Sequence, residues 1–218
     1  MNIRRTISLA LVGAALTATV AAPATAAATP APAGSVLALL EADGTAFDGN
    51  WYDYDILEAA ARTVLAAKPD STVAALAVAN ANLTVFAPND RAFQVLVASL
   101  TGKWYGTEAG VVNGLVAALG AGAVDTIEQV LLYHVVAGKT TWAGFKALNG
   151  QSVPTVLGPT LGIRYYPWLN LGVLVDKDPN AFNPWIVNSK RDIMVGSNSV
   201  VHGIALVLRP ADLPPTAR

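Results

Sequence analysis

Thr84-Val85-Phe86-Ala87-Pro88-Asn89-Asp90-Arg91-Ala92-Phe93 reads, by residue type alone, as a strand that turns straight into a helix. Asn82 to Phe86 is rich in β-prone side chains, and Pro88, which has no N–H to donate, ends the ladder. Asn89 or Asp90 then offers a side-chain oxygen to the free N–H groups of a helix start. Phe93, Leu96, Val97 and Leu100 follow at the three- and four-residue steps of a buried helix face. Phe86 and Phe93 flank this corner and staple the strand to the helix.

Upstream of the corner the pattern predicts a helical turn at 36–42 and a helix from Ile56 to Ala67. Asp53 or Asp55 caps the latter and Lys68-Pro69 stops it. A second helical pattern runs from Ser71 to Asn80. Downstream come a loop from Thr101 to Gly110 and a helix from Val111 to Leu119 broken at Gly120–Gly122. Thr126 is the candidate cap of a further helix from Ile127 to Val135. After Gly138 the character changes to short β-prone pieces: Ser152–Leu157, Leu161–Tyr166, Gly172–Asp176, Trp185–Asn188, Asp192–Val195 and Val200–Leu208. Gly, Pro, Asn and Asp separate them, as in an antiparallel, sheet-rich half. Sheets with an apolar face need cover, and amphipathic helices provide it, so residues 45–210 read as one α+β unit.

The chain has 218 residues, 53% hydrophobic and 13% charged, with no cysteine. That excludes a highly charged disordered chain, disulfides, thiolate metal sites and a cysteine nucleophile. Residues 1–26 have the form of a signal peptide: Arg4 and Arg5, an apolar stretch from Ile7 to Ala22, Pro23, and Ala24-Thr25-Ala26, or equally Ala26-Ala27-Ala28, at the cleavage position. Residues 27–44 are an Ala/Pro-rich linker or N-terminal extension, and 211–218 a flexible tail. Cleavage would leave a net charge of about −3 and no basic run longer than Lys190-Arg191, so nucleic acid is not an expected partner. No later apolar run reaches spanning length without Gly, Pro or charge, so no stable membrane insertion is expected after cleavage. The expectation is a secreted, monomeric protein.

No phosphate-cradling glycine loop, nucleophile elbow or HExxH segment occurs, and neither a cofactor nor a metal is expected. The two histidines, His134 and His202, are embedded among valines and leucines. They read as buried, neutral packing residues whose ring nitrogens need partners and whose pKa falls below about 6.5. Pairing either with Asp192 leaves a triad with no serine at a strained strand-to-helix turn. Asp176 and Asp178 read as a solvated hairpin end.

Three stretches, in order, resemble the fasciclin-type adhesion domain (FAS1). The first is Thr84 to Phe93, with Thr84, Phe86, Pro88, Asn89 and Phe93. The second is Leu131-Leu132-Tyr133-His134-Val135-Val136-Ala137-Gly138-Lys139. The third is Asp192-Ile193-Met194 with Ser197-Asn198-Ser199-Val200-Val201-His202-Gly203-Ile204 and Val207-Leu208-Arg209-Pro210. The resemblance implies a fasciclin-like α+β fold, with antiparallel sheets packed as a wedge or sandwich under a cover of helices. It also implies an extracellular place, a non-catalytic adhesion role, and receptor contact around Tyr133-His134 and Asp192-Ile193-Met194. Two positions depart from the family's pattern. Asn198-Ser199 stands where Asn-Gly is common, so Asn198 takes a positive φ or the turn changes type, and Ala205 occupies a commonly acidic position.

Aromatic residues are concentrated in loops: Trp51, Tyr52 and Tyr54; Trp104 and Tyr105; Tyr165, Tyr166 and Trp168; Phe182 and Trp185. Such rings anchor protein partners or stack on sugars. Trp104, Tyr105, Tyr165, Tyr166 and Trp168 are the candidate binding residues, and a cell-surface protein or glycan the candidate partner. The reading is a non-catalytic adhesion or interaction protein, free outside the cell or held at the cell wall. The alternative is a small-ligand or polysaccharide binder with an aromatic-lined groove, and a hydrolase is a minor one.

Overall fold

The structure, a computed structural model, describes residues 29–42, 44 and 47–213; the expected signal segment and residues 214–218 of the expected tail lie outside the described residues. Ser35 accepts a hydrogen bond from the N–H of Ala38 and starts α1 (Val36–Leu40), whose Val36, Leu37 and Leu40 are buried in the same core as the rest of the helices. The core thus begins upstream of the 45–210 unit expected from the sequence. α2 (Asp55–Ala67) follows, and then a 3₁₀ turn over Thr72–Ala77 where the sequence predicts a longer helix. The longer helix is cut short because Asn80 turns to a φ of 55°, donates its N–H to Gly34 O and accepts the N–H of Ser197 on its side chain.

β1 (Leu83–Pro88) leads into α3 (Asp90–Thr101) through Asn89, whose side chain accepts from the N–H of Ala92. α4 (Glu108–Leu119) and α5 (Ala123–Tyr133) are joined by a 3₁₀ turn at Gly120–Gly122. Because that turn runs directly into α5, the helix starts before Thr126, which lies inside it and is no cap. Glu108–Tyr133 is, by length and composition alone, apolar enough to cross a membrane, with a mean hydropathy of 1.5. Gly120, at a φ of 63°, breaks the run in two, and α5 buries Ile127, Leu131 and Tyr133 while Asp125 and Glu128 both pair with Lys68.

β2 (Val135–Ala137), α6 (Trp142–Ala147), β3 (Ser152–Pro154), β4 (Thr160–Tyr166), β5 (Leu171–Val175), β6 (Ile193–Val195) and β7 (Ser199–Ile204) complete the chain. β2 and α6 are too short to show a period in sequence. Trp185–Asn188, expected as a strand, makes only two isolated bridges, Trp185 to Val173 and Ile186 to Ile204. Pro184 has no N–H to extend the ladder, and Asn188–Lys190 closes into a 3₁₀ turn.

The strands form one sheet of order β2-β1-β7-β6 and another of order β3-β4-β5. All pairs are antiparallel except β1 and β7, which run parallel in the register Thr84↔Val200 to Pro88↔Ile204. The sheets are mainly antiparallel, as expected, and β1–β7 is a parallel pair within one of them. β1 and β7 are distant in sequence and are joined by helices and a second sheet, the kind of long connection a parallel pair needs. Every residue of both strands is buried, as expected for strands covered on both faces. Alternate residues face two apolar cores. Val85, Val135 and Val201 join the core under the helices. Phe86 and Val136 join a second core with Tyr133, Phe145, Leu161, Ile163 and Leu174. The result is the mixed α+β architecture, with helices on one face and a small antiparallel sheet on the other.

The second core depends on close backbone approach at Gly172 of β5. A Cβ added there would lie 2.6 Å from Phe145 Cε1 and 2.8 Å from Trp142 Cζ3, and these two rings are themselves stacked with centroids 5.4 Å apart. Gly172→Ala is expected to lower stability by about 1–3 kcal/mol through overpacking, read as a lower urea midpoint with an unchanged m-value.

Candidate interaction surface

Most residues carrying the sequence motifs turn inward. Thr84 Oγ1 donates to Gly138 O at 2.6 Å and accepts from the N–H of Thr140 at 2.8 Å. Pro88 ends β1 and Asn89 caps α3, while Phe93 packs in the helix-covered core and Phe86 in the other. Tyr133 is fully buried and donates its hydroxyl to Thr160 O at 3.2 Å; burial and, less, Asp176 push its pKa up to about 12. His134 Nδ1 donates to Val130 O (2.7 Å) and Nε2 accepts the N–H of Leu208 (2.9 Å). His202 Nε2 donates to Thr140 O (2.9 Å), Nδ1 accepts the N–H of Asp192 (3.2 Å), and the ring stacks on Phe86. Both rings therefore spend both nitrogens on backbone, and neither has one left to move a proton. Burial lowers the pKa of both, that of His134 to about 4.

Asp192, at a φ of 54°, accepts the N–H of Trp142 on Oδ1 (2.6 Å) and so holds α6 in place. Ile193 is half-buried and Met194 exposed on β6, an edge strand, so this stretch, unlike Tyr133-His134, is accessible. In the β6–β7 turn the positive φ, 55°, belongs to Gly196 and not to Asn198; Asn198 Nδ2 instead donates to Asn80 O. Asp176 and Asp178 are not a solvated hairpin end. Asp178 is buried and pairs with Arg209 Nη1 at 2.8 Å, and Asp176 accepts the N–H of Arg209 at 2.9 Å, tying the segment after β7 to the segment after β5.

The five aromatic candidates divide. Tyr105 packs on Gly114, where an added Cβ would meet its ring at 2.7 Å, and Tyr165 sits edge-on to Trp142 at 5.6 Å; both are part of the packing. Trp104 is 59% exposed, Tyr166 36% and Trp168 77%. Trp104 lies over the Arg91 guanidinium, which also lies over Trp51, making a Trp51–Arg91–Trp104 ladder with distances of 5.8 and 5.5 Å. Tyr166 and Trp168 meet edge to face at 5.4 Å beside exposed Leu169. Arg91, placed outward by the start of α3, is the partner that aromatic counting could not show.

None of these five lines the cavities beside α2 to α5, beside Asp178 and Asn180, or beneath the Thr72–Ala77 turn. One, of about 180 Å³, is walled almost wholly by aliphatic side chains of α2 to α5 and the final segment, including Leu57, Leu96, Leu115, Ile127 and Val207. The sequence reading also missed a group of carboxylates. Asp53, Asp90 and Glu108 are all buried, and one oxygen of each lies within 4.8 Å of the others. Asp53 and Asp90 looked like helix caps, and Glu108 carried no signal. Burial, then a hydrogen bond with Asp53, pushes the pKa of Asp90 up to about 8.

The histidines give the structure an acid limit. For His134 the folded pKa of about 4 lies below the ordinary 6.5. The unfolded chain therefore binds the proton first. The stabilisation is complete above about pH 6.5 and is lost as pH falls toward 4, a change of roughly 3 kcal/mol for that residue. Urea titrations at pH 7 and pH 4.5 should show the drop. In His134→Gln the drop should shrink, with lower stability at pH 7.

Residues 59–210 match the Fasciclin domain family. No curated protein matches by sequence. Among solved structures, the FAS1 domain pair of the insect cell adhesion molecule Fasciclin I aligns at 16% identity and a TM-score of 0.42, over 71% of this chain and 43% of that one. The present chain thus spans less than half of that domain pair. With its family match covering most of its length, the chain belongs to the fasciclin family.

Proposed function

We propose that this protein is exported and acts as an adhesion or interaction module, recognising a cell-surface protein or glycan through exposed aromatic side chains. The observation that carries this reading is the exposure of Trp104 in the loop after α3 and of Tyr166 and Trp168 at the end of β4, around a core in which most motif residues are packed. Tryptophan and tyrosine held in a fixed geometry are the side chains most often responsible for binding energy at protein surfaces, and Arg91 presents Trp104 in such a geometry. Arg4, Arg5 and the apolar stretch after them support export. A groove-binding role for small ligands or polysaccharide is less favoured, because the candidate aromatics line neither the aliphatic cavity of about 180 Å³ nor the more polar one of about 300 Å³ beside Ser99, Asp178 and Asn180.

The test is a binding screen of the protein against surface proteins and glycans, followed by Trp104→Ala, Tyr166→Ala and Trp168→Ala. At least one variant should weaken a hit about tenfold or more. All three should keep their urea stability within about 0.5 kcal/mol, as exposed positions do. Binding untouched by every variant would refute the assignment, and a large loss of stability would mean the rings serve the core.

A further inference from the structure

We propose that Asp53, Asp90 and Glu108 form a buried calcium site between the loop before α2, the start of α3 and the start of α4. The three side chains are 6%, 0% and 2% exposed, and one carboxylate oxygen from each lies within 4.8 Å of the others. Each residue also has a buried oxygen that no N–H or hydroxyl donor among the described residues reaches: Asp53 Oδ1, Asp90 Oδ2 and Glu108 Oε1. Among the described residues, no Lys, Arg or His forms an ion pair with any of the three. Three carboxylates gathered out of water without a counter-charge are among the costliest arrangements a fold can keep.

The remaining oxygens show that the placement is built. Asp90 Oδ1 accepts the N–H of Ile56 at 2.9 Å and Glu108 Oε2 accepts that of Gly49 at 3.1 Å, so each carboxylate is held by one oxygen while the other is left over. The backbone fixes the third member: the N–H of Asp90 donates to Asp53 O, and that of Arg91 to Trp51 O. A proton shared by Asp53 and Asp90 satisfies their two spare oxygens but leaves Glu108 Oε1 and two negative charges. A cation satisfies all three.

The donor set selects the ion. Only carboxylate oxygen is offered, with no nitrogen or sulfur, which suits a hard cation. Ca²⁺ tolerates flexible geometry and several protein oxygens at about 2.3–2.6 Å, whereas Mg²⁺ demands a near-ideal octahedron and keeps most of its waters, so a buried cage of three carboxylates suits Ca²⁺ better. Asp48, exposed and within 4.8 Å of Asp53 and Asp55 by the same measure, places a further carboxylate at the surface side of the site, where an ion would enter. Residues 53, 90 and 108 are too far apart in sequence to show a ligand spacing, and the α3 corner brings them together. This inference is independent of the aromatic surface, and either could fail alone.

Two measurements test it on the purified protein. The thermal midpoint should rise between EDTA and 5 mM CaCl₂. Tb³⁺ emission excited through tryptophan, with Trp51 two residues from Asp53, should saturate at one ion per chain and be displaced by Ca²⁺ but not by equal Mg²⁺. Glu108→Gln, and independently Asp53→Asn, should weaken Tb³⁺ binding about tenfold or more. Glu108→Gln should also invert the order of stability: at or above the parent in EDTA, where a repulsive charge is gone, and below it in calcium. Absence of both the thermal rise and saturable emission would overturn the site and leave shared protons as the whole account. Emission unchanged in both variants would place the ion elsewhere and overturn it equally. The native-protein emission needs no variant to fold.

Discussion

The parallel pairing of β1 with β7 is the constraint on which the rest of the molecule depends. It joins the strand before α3 to the last strand of the chain and places both between two apolar cores. A pair so distant in sequence pays a large closure entropy, and no local turn defines its register. Side-chain-to-backbone bonds at its margins supply that definition. Thr84 fastens Gly138 and Thr140, His202 reaches the same Thr140 from β7, and His134 holds Leu208 just beyond the strand. Each of these polar groups is buried or nearly so, and a slip of one residue would orphan several at once. Specificity of register is therefore the physical reason for polar side chains in so apolar a place.

That commitment limits what the two histidines can do. A general base needs a ring nitrogen free to accept a proton and a pKa near the working pH. His134 and His202 have neither, since both nitrogens of each are bonded to backbone and burial holds them neutral. Tyr133, the other polar group of the central motif, is buried against Thr160. The exposed apolar side chains lie on edges and loops: Met194 on β6, the Tyr166–Trp168 pair at the end of β4, and Trp104 on Arg91.

How much of this was legible in the sequence follows from the range of each signal. The strand, the Pro88 stop and the helix of the corner were legible because each is decided within four residues, and of the two cap candidates, Asn89 and Asp90, it is Asn89 that caps α3. The order and type of most elements were likewise local. Parallel pairing was not, since β1 and β7 have the same residue types that an antiparallel pair would have. α6 escaped because six residues give no period, and its hold is Asp192, fifty residues away. Composition marked the loop aromatics, but it could not separate Tyr105 and Tyr165, which pack against Gly114 and Trp142, from the rings that stay in solvent.

The start of α3 shows how one turn of helix serves three ends. Asn89 keeps its side chain on its own helix and caps it. Asp90, one residue on, points inward, bonds the first turn of α2 through Ile56 and meets Asp53 and Glu108. Arg91 points outward and lies between Trp51 and Trp104. The loop before α2 is gripped from the same place, by the N–H groups of Asp90 and Arg91 on Asp53 O and Trp51 O. An approximately 100° step per residue is enough to send successive side chains to a cap, a core and a surface. Whatever steadies the carboxylates on the inner side therefore also steadies the loop that carries Trp51. Buried charge and exposed ring are mechanically joined through two backbone hydrogen bonds.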